Sequence, residues 1–304
     1  MNPRYVVIRR PAFPSRQVAY QRMTPSGMQS STGAGGSSCM RIVIGLAVAA
    51  FAIISFLGSK QYNPVTGEDQ YVTITKEQEI ALGLQSAPEM AAEFGGLDQD
   101  IRVQNFLDEI GQKLVNESFA IQADYPFEFT VLADDQTVNA FALPGGQVFI
   151  TRGLLNLMET EGELAAVLGH EIVHVVARHS AEQIAQTQLA QGLTGALVMA
   201  TYDPENPSSM GTAQVAMLIS QLVTMKFGRE DEIQADEFGV RLMTEAGYDP
   251  RSMISVMQKL EQSSGGASQV EFFSTHPSYE NRLASIQNAI SSLFPNGVPD
   301  SLIP

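Results

Sequence analysis

The sequence predicts a mainly helical α+β fold with a small mixed sheet, preceded by one transmembrane helix. Three observations support this prediction. The segment 42–59 is apolar and uncharged, short stretches before residue 152 are rich in Phe, Val, Ile and Thr, and the later elements have helical periodicity. With 304 residues and a hydrophobic fraction of 44%, the chain is long enough to bury a substantial core.

Charge divides the chain into two unequal parts. The formal net charge is −15, yet residues 1–41 contain six Arg and neither Asp nor Glu, so all 33 acidic residues lie in the remainder. An acidic body repels phosphate, which argues against nucleic acid as a partner. The single cysteine, Cys39, excludes both an intrachain disulfide and a cysteine-based metal site.

The N-terminal segment 1–41 is basic and rich in Ser and Gly, and we predict that it is a disordered tail. The apolar run 42–59 follows, and at about 1.5 Å per residue a helix of this length just spans a bilayer. Arginine before the run places that end in the cytoplasm, so we expect a signal anchor in a bacterial inner membrane with the body in the periplasm. An Arg- and Ser-rich leader is also typical of mitochondrial transit peptides, so the mitochondrial inner membrane stays open.

A polar linker is expected at 60–74, and a single domain at 75–304. Thr75 is the expected N-cap of the first amphipathic helix of this domain, and a second helix follows. Strands are expected at 127–132, 138–146 and 147–151, with only helices after residue 152. The main predicted helices are 75–93, 98–117, 161–180, 181–199, 229–246, 251–262 and 280–293.

An H-E-x-x-H pattern lies within the predicted buried helix 161–180, at His170, Glu171 and His174. Two histidines four residues apart on a helix differ by about 40° at ~100° per residue, so both rings face one point. Neutral imidazoles at this spacing suit Zn²⁺, and the intervening glutamate suits a base that acts on water at the metal. The pattern therefore predicts half of a catalytic zinc site.

A catalytic zinc needs a third protein ligand, which could be His, Glu or Asp. His179 is about 180° around the predicted helix from His170, so we assign it to the surface. Glu232 and Asp236 are 40° apart on one face of a later helix, beside Gly239, where another helix can approach closely. We predict that Glu232 is the third ligand and that Asp236 accepts a histidine N–H and so fixes its tautomer. A solvated acidic helix face is the alternative.

The order of these residues resembles the gluzincin metalloprotease family of the CAAX prenyl proteases and HtpX. The similarity is to its compact branch of periplasmic and mitochondrial inner-membrane quality-control proteases. The resemblance implies a zincin-like metalloprotease domain with one Zn²⁺ per chain, and a single expected span argues against prenyl-peptide processing. The matching motifs are H-E-x-x-H at 170–174, E-x-x-A-D-x-x-G at 232–239, N-A-F-A-L-P-G-G at 139–146, and T-H-P at 275–277 with Arg282.

The resemblance also implies roles for residues outside the ligand set. His276 would hydrogen-bond the tetrahedral oxyanion, and Arg282 would anchor this segment to acids near the site. A turn histidine is the alternative for His276, and an ordinary hairpin is the alternative for the substrate strand. That strand would be an edge strand that pairs with the substrate backbone, formed by Asn139, Ala140, Phe141 and Ala142.

We therefore expect a membrane-anchored zinc endopeptidase that hydrolyses unfolded or misassembled envelope proteins, with Glu171 as general base. The alternative is an inactive zinc-binding relative that acts as a membrane-tethered chaperone or scaffold. An intact Glu171 argues against that alternative, because an inactive protein has no chemical need for it. The apolar segment 214–227 is expected to pack in the core, with a cover over the site or a membrane contact as alternatives. The oligomeric state stays open.

Overall fold

Helices dominate the structure, a computed structural model that describes residues 35–201, 226–263, 269–277 and 281–304. A small mixed sheet accompanies them, which confirms the predicted mainly helical α+β class. A short 3₁₀ helix occupies Phe119–Ala123. The α-helices are α1 (Gly35–Gly58), α2 (Lys76–Glu93), α3 (Ile101–Asn116), α4 (Arg152–Leu155), α5 (Glu161–Val176), α6 (His179–Thr201), α7 (Arg229–Glu245), α8 (Arg251–Ser263), α9 (Phe272–Thr275) and α10 (Arg282–Leu293).

The main sheet has three strands in the order β3–β6–β5. Strand β6 pairs in parallel with β3 and antiparallel with β5, so β5 forms one edge of this sheet. A two-residue strand after α8 corrects our expectation of helices alone beyond residue 152, because β7 pairs in parallel with β4. Two residues are too few to leave a periodic signal in the sequence. The strands are β1 (Lys60–Asn63), β2 (Glu68–Tyr71), β3 (Glu128–Leu132), β4 (Thr137–Val138), β5 (Ala140–Leu143), β6 (Gln147–Thr151) and β7 (Gln269–Val270).

Helix α1 is long and apolar enough, over Met40–Gly58, to cross a membrane by length and composition. It begins at Gly35, so residues 35–41, which we predicted as part of a disordered tail, are helical, and residues 1–34 lie outside the described part. It packs along α6, where a side chain at Gly192 would put its Cβ 2.8 Å from that of Ala52. Glycine therefore permits the close approach of these two helices.

The segment 60–74, predicted as a linker, contains the antiparallel hairpin β1–β2. Buried Asn63 donates from Nδ2 to the carbonyl of Val176 at 2.9 Å, and buried Gln70 donates from Nε2 to the carbonyl of Ala177 at 2.8 Å. Carbonyls at the end of a helix have no partner within it, so these two amides supply the missing donors. The hairpin is thus attached to the end of α5.

Helix α5 is the centre of the core. Every residue from Gly162 to Val176 is buried, because a helix that is apolar on all sides must be covered on all sides. Thr160 caps its start by accepting from the Glu163 N–H. Helices α3, α7 and α8 and strand β5 all pack against it. At Gly239 of α7 an added Cβ would lie 3.5 Å from the backbone nitrogen of His170, which shows how closely α7 approaches.

A left-handed residue ends α5 earlier than we predicted. Arg178 has φ of 61°, a conformation that costs on the order of 1–2 kcal/mol outside glycine. Its guanidinium forms an ion pair with buried Glu79 and donates to the carbonyl of Ile74 at 3.0 Å. These contacts hold the turn, and His179 begins the separate helix α6.

The attachment of the hairpin predicts an effect on stability. Asn63→Ala leaves the Val176 carbonyl without its donor, so the free energy of unfolding should fall by about 1–3 kcal/mol. Urea unfolding of the full chain in detergent, followed by circular dichroism, measures this change. Asn288→Ala, on an exposed face of α10, is the control and should stay within about 0.5 kcal/mol. Equal stability of both variants would contradict this role of the hairpin.

Candidate metal centre

Four buried side chains converge at the contact between α5 and α7. They are His170, His174, Glu232 and His276, whose possible ligand atoms all lie within 4.8 Å of one another. The Nε2 atoms of His170 and His174 are 3.1 Å apart, and each lies 3.5 Å from a carboxylate oxygen of Glu232. Lone pairs of neutral imidazoles and a carboxylate that face one point fit a divalent cation, and nitrogen and oxygen donors suit Zn²⁺.

His276 belongs to the same group, although we predicted it as an oxyanion donor. Its Nδ1 lies 3.0 Å from Glu232 Oε1 and 3.3 Å from His170 Nε2. The residue directly follows α9, is fully buried, and stacks on Phe272 with ring centroids 4.6 Å apart. The oxyanion role stays a prediction, since the ring here faces the other ligand atoms.

Asp236 and Arg282 lie behind the ligand group, and both are buried. Asp236 Oδ1 is 3.1 Å from His170 Nδ1. When Nδ1 of His170 carries the hydrogen and donates to Asp236, Nε2 of the same ring is free for a metal. Arg282 donates to both oxygens of Asp236 at 2.8 and 2.7 Å, and its Nη1 lies 2.8 Å from Glu232 Oε2. One guanidinium thereby compensates two buried carboxylates.

Glu171 is fully buried next to this group. Within the described residues, no side chain or backbone donor makes a well-directed hydrogen bond to either of its carboxylate oxygens. His276 Nε2 lies 3.5 Å from its Oε1. Burial raises the pKa of Glu171 above its usual range, because the charged form has lost its solvation. A carboxylate in this state is well suited to accept a proton.

The electrostatics of the two motif histidines differ. Burial holds the pKa of His174 well below its ordinary value, so the ring is neutral and free to bind a cation. Burial also acts on His170, but hydrogen bonds to Asp236 and Glu232 outweigh it and raise its pKa to about 9. At Glu232 the neighbouring His276 and His170 outweigh burial and hold the pKa well below its usual range.

His179 corrects our assignment to the surface, because it is buried and touches the ligand group. Its Nδ1 lies 2.8 Å from the Nδ1 of His174. The prediction extended an ideal helix through residue 180, but the left-handed Arg178 breaks that geometry and turns His179 back towards His174. A helical wheel cannot foresee such a break.

The predicted substrate residues lie at the edge of the sheet. Asn139, Phe141 and Ala142 line a groove of about 90 Å³, together with His276 and Phe227. Ala140 lies in the same strand and is fully buried. Phe227 ends the apolar segment 214–227 and stacks on the ring of His174 with centroids 3.9 Å apart. We weighed core packing, a cover over the site and a membrane contact for this segment, and its residues 214–225 lie outside the described part.

A model of peptidase family M48 matches residues 102–290, a range that contains the ligand group, Glu171, Asp236 and Arg282. The chain belongs to peptidase family M48. This confirms the resemblance that the motifs indicated. Proteases of this family are metal-dependent, and the four converging side chains provide a place for a metal here.

Relatives within the family come from bacteria and mitochondria. The beta-barrel assembly-enhancing protease of Yersinia pestis is 29% identical over 244 residues, which cover 78% of this chain and 49% of that protein. The mitochondrial metalloendopeptidase OMA1 of Schizosaccharomyces pombe is 30% identical over 230 residues, which cover 75% of this chain and 65% of that protein. The match thus spans about half the length of the bacterial relative and less than two thirds of the fungal one.

The pKa of His170 predicts how metal binding depends on pH. A ligand histidine must be neutral, so below pH 9 a zinc ion has to displace a proton from His170. Zinc affinity should therefore keep rising with pH up to about 9. If the histidine had its ordinary pKa of about 6.5, zinc affinity would instead stop rising near pH 6.5. Competition with a chromophoric chelator in zinc-buffered solutions measures the affinity.

Asp236→Asn is the matched comparison, since it removes the charge that raises the pKa of His170 but keeps the shape of the side chain. Its plateau should move to lower pH. A plateau near pH 6.5 in the unmodified protein would contradict this account of the site.

Proposed function

We propose that the chain is a zinc-dependent endopeptidase anchored in a membrane by α1. The observation that carries the proposal is the position of Glu171, a fully buried carboxylate beside four convergent metal donors, to which no described group makes a well-directed hydrogen bond. A purely structural zinc site has no need for such a group, and burying a carboxylate costs free energy. Peptide hydrolysis at a metal requires a base in this position.

His170, His174 and Glu232 would hold the ion, and Asp236 and Arg282 would fix the orientation of these ligands. When bound, Zn²⁺ supplies a Lewis acid that polarises the scissile carbonyl and makes water nucleophilic at neutral pH. Glu171 takes the proton from the attacking water at its carboxylate and then delivers it to the departing amine nitrogen. Burial raises the pKa of Glu171, which makes its carboxylate a stronger base for the first transfer.

The role of His276 decides whether water can reach a metal in the ligand group. Three protein ligands would leave a position for water at a catalytic zinc, so the proposed mechanism assigns the ion to His170, His174 and Glu232 and requires His276 to stay outside the ligand set. Its Nε2 already lies 3.5 Å from Glu171, on the side of the groove beside β5. Outside the ligand set, the ring would be close enough to donate to the oxyanion, which is the role predicted from the family resemblance.

The substrate would lie along strand β5. As the edge of its sheet in the described part of the chain, this strand offers main-chain groups that can pair with an extended peptide of any sequence. Asn139, directly before this strand, lines the groove and has a buried Oδ1 without a partner in the same described part. Recognition through the backbone fits a protease that acts on many unfolded chains.

The substrates would be unfolded or misassembled proteins at a membrane. The hairpin β1–β2 directly follows α1 in the chain and is attached to the end of α5, and helix α6 packs along α1. The ligand group is thereby connected to the expected membrane span. The bacterial relative is named for assembly of β-barrel proteins and the fungal one for its mitochondrial location. Together with the arginines before α1, they support a bacterial inner membrane with the domain in the periplasm, or a mitochondrial inner membrane.

The role of Glu171 is directly testable. Glu171→Gln keeps all metal donors, so zinc content should be unchanged, whereas cleavage of an unfolded casein substrate should fall by at least about 100-fold. The assay uses the full chain in detergent, with and without a chelator. Glu230→Gln is the matched control, because this exposed residue lies on α7 outside the ligand group.

Normal cleavage by Glu171→Gln would contradict the mechanism. Failure of the unmodified, zinc-loaded protein to cleave casein, combined with suppression of casein aggregation, would favour the membrane-tethered chaperone instead.

A further inference from the structure

A chain of hydrogen bonds leads from the metal ligand His174 to the surface. His174 Nδ1 lies 2.8 Å from Nδ1 of His179, and Nε2 of His179 lies 2.8 Å from Oε1 of Gln234. The amide nitrogen of Gln234 then donates to Oε2 of Glu68 at 2.8 Å. These hydrogen bonds thus join four elements, α5, α6, α7 and the hairpin strand β2.

The direction of these hydrogen bonds follows from their two ends. At one end, His174 points its Nε2 at the other ligands, so a metal on this atom requires the hydrogen on Nδ1. Nδ1 of His179 must then accept, and its Nε2–H donates to the Gln234 carbonyl. At the other end, Glu68 is an exposed carboxylate, which accepts hydrogen bonds from the Gln234 amide. Every donor in this arrangement faces an acceptor.

The reverse direction fails at both ends. If His179 donated from Nδ1, His174 would carry its hydrogen on Nε2, where it would block the metal. Gln234 would also have to donate to His179 and turn its carbonyl oxygen towards the Glu68 carboxylate. Two acceptors 2.8 Å apart repel each other, so the Glu68 end disfavours this arrangement.

We propose that His179, Gln234 and Glu68 are positioning residues that hold His174 in the tautomer with a free Nε2. The inference rests on the proposed zinc function and assigns these three side chains a part in it. His170 has a charged partner for the same purpose, Asp236, whereas His174 has a neutral one.

Zinc affinity of purified full-length variants in detergent, measured by chelator competition, tests the proposal. His179→Leu removes the acceptor and should weaken zinc binding about 10- to 100-fold. His179→Asn should recover most of this loss, because its Oδ1 can replace Nδ1 as the acceptor. If His179 acted through packing alone, His179→Leu should bind zinc at least as tightly as His179→Asn, since Leu fills the space of the ring better than Asn.

The surface end has its own matched pair. Glu68→Lys puts a donor where the Gln234 amide needs an acceptor. Asp69→Lys makes the same charge change one residue further along β2, where Asp69 pairs with exposed Lys60. Glu68→Lys should weaken zinc binding more than Asp69→Lys does. Equal affinities in these two variants would overturn the role of Glu68.

A measurement on the unmodified protein does not depend on how the variants fold. The chain has four histidines, so ¹⁵N spectra of the zinc-loaded protein can assign each ring tautomer. The proposal requires hydrogen on Nδ1 of His174 and on Nε2 of His179. Hydrogen on Nδ1 of His179, or zinc affinity in His179→Leu equal to that of the unmodified protein, would overturn it. If the unmodified protein itself binds no zinc, the proposed function fails instead.

Discussion

The rest of the site depends on one buried set of charges, the carboxylates of Glu232 and Asp236 and the guanidinium of Arg282 between them. Removing one partner from such a set leaves an uncompensated buried charge and costs on the order of 3–5 kcal/mol. The three side chains come from α7 and α10, so their pairing fixes these two helices against each other, and Asp236 also contacts His170 of α5. The histidines then face a carboxylate whose position is already determined.

Helix α5 brings three polar side chains to this arrangement, those of His170, Glu171 and His174. The helix is otherwise mostly apolar and is buried over almost its whole length. Each motif histidine uses one ring nitrogen towards the ligand group and the other towards a fixed partner, Asp236 or His179. A metal that bound to these residues would need little reorganisation of its ligands, because their side chains are already ordered.

The sequence was sufficient to predict the long helices of the domain, the strands of the small sheet and the meeting of His170, His174 and Glu232. Helical periodicity and the spacing of ligand residue types are local signals, and both survive in a single sequence. The hairpin β1–β2 was missed because its four-residue strands are polar and their role is to supply donors to α5. His179 was misplaced because the left-handed turn at Arg178 depends on an ion pair with distant Glu79. Both failures arise from contacts between residues far apart in sequence.

The central claim is that His170, His174 and Glu232 hold one zinc ion. The most direct measurement is the metal content of the purified full chain together with zinc X-ray absorption. The account predicts one zinc per chain, surrounded only by nitrogen and oxygen ligands at about 2.0–2.2 Å, and loss of that zinc in Glu232→Ala. A chain that purifies without zinc and takes none up, or a Glu232→Ala variant that retains the full amount, would contradict it.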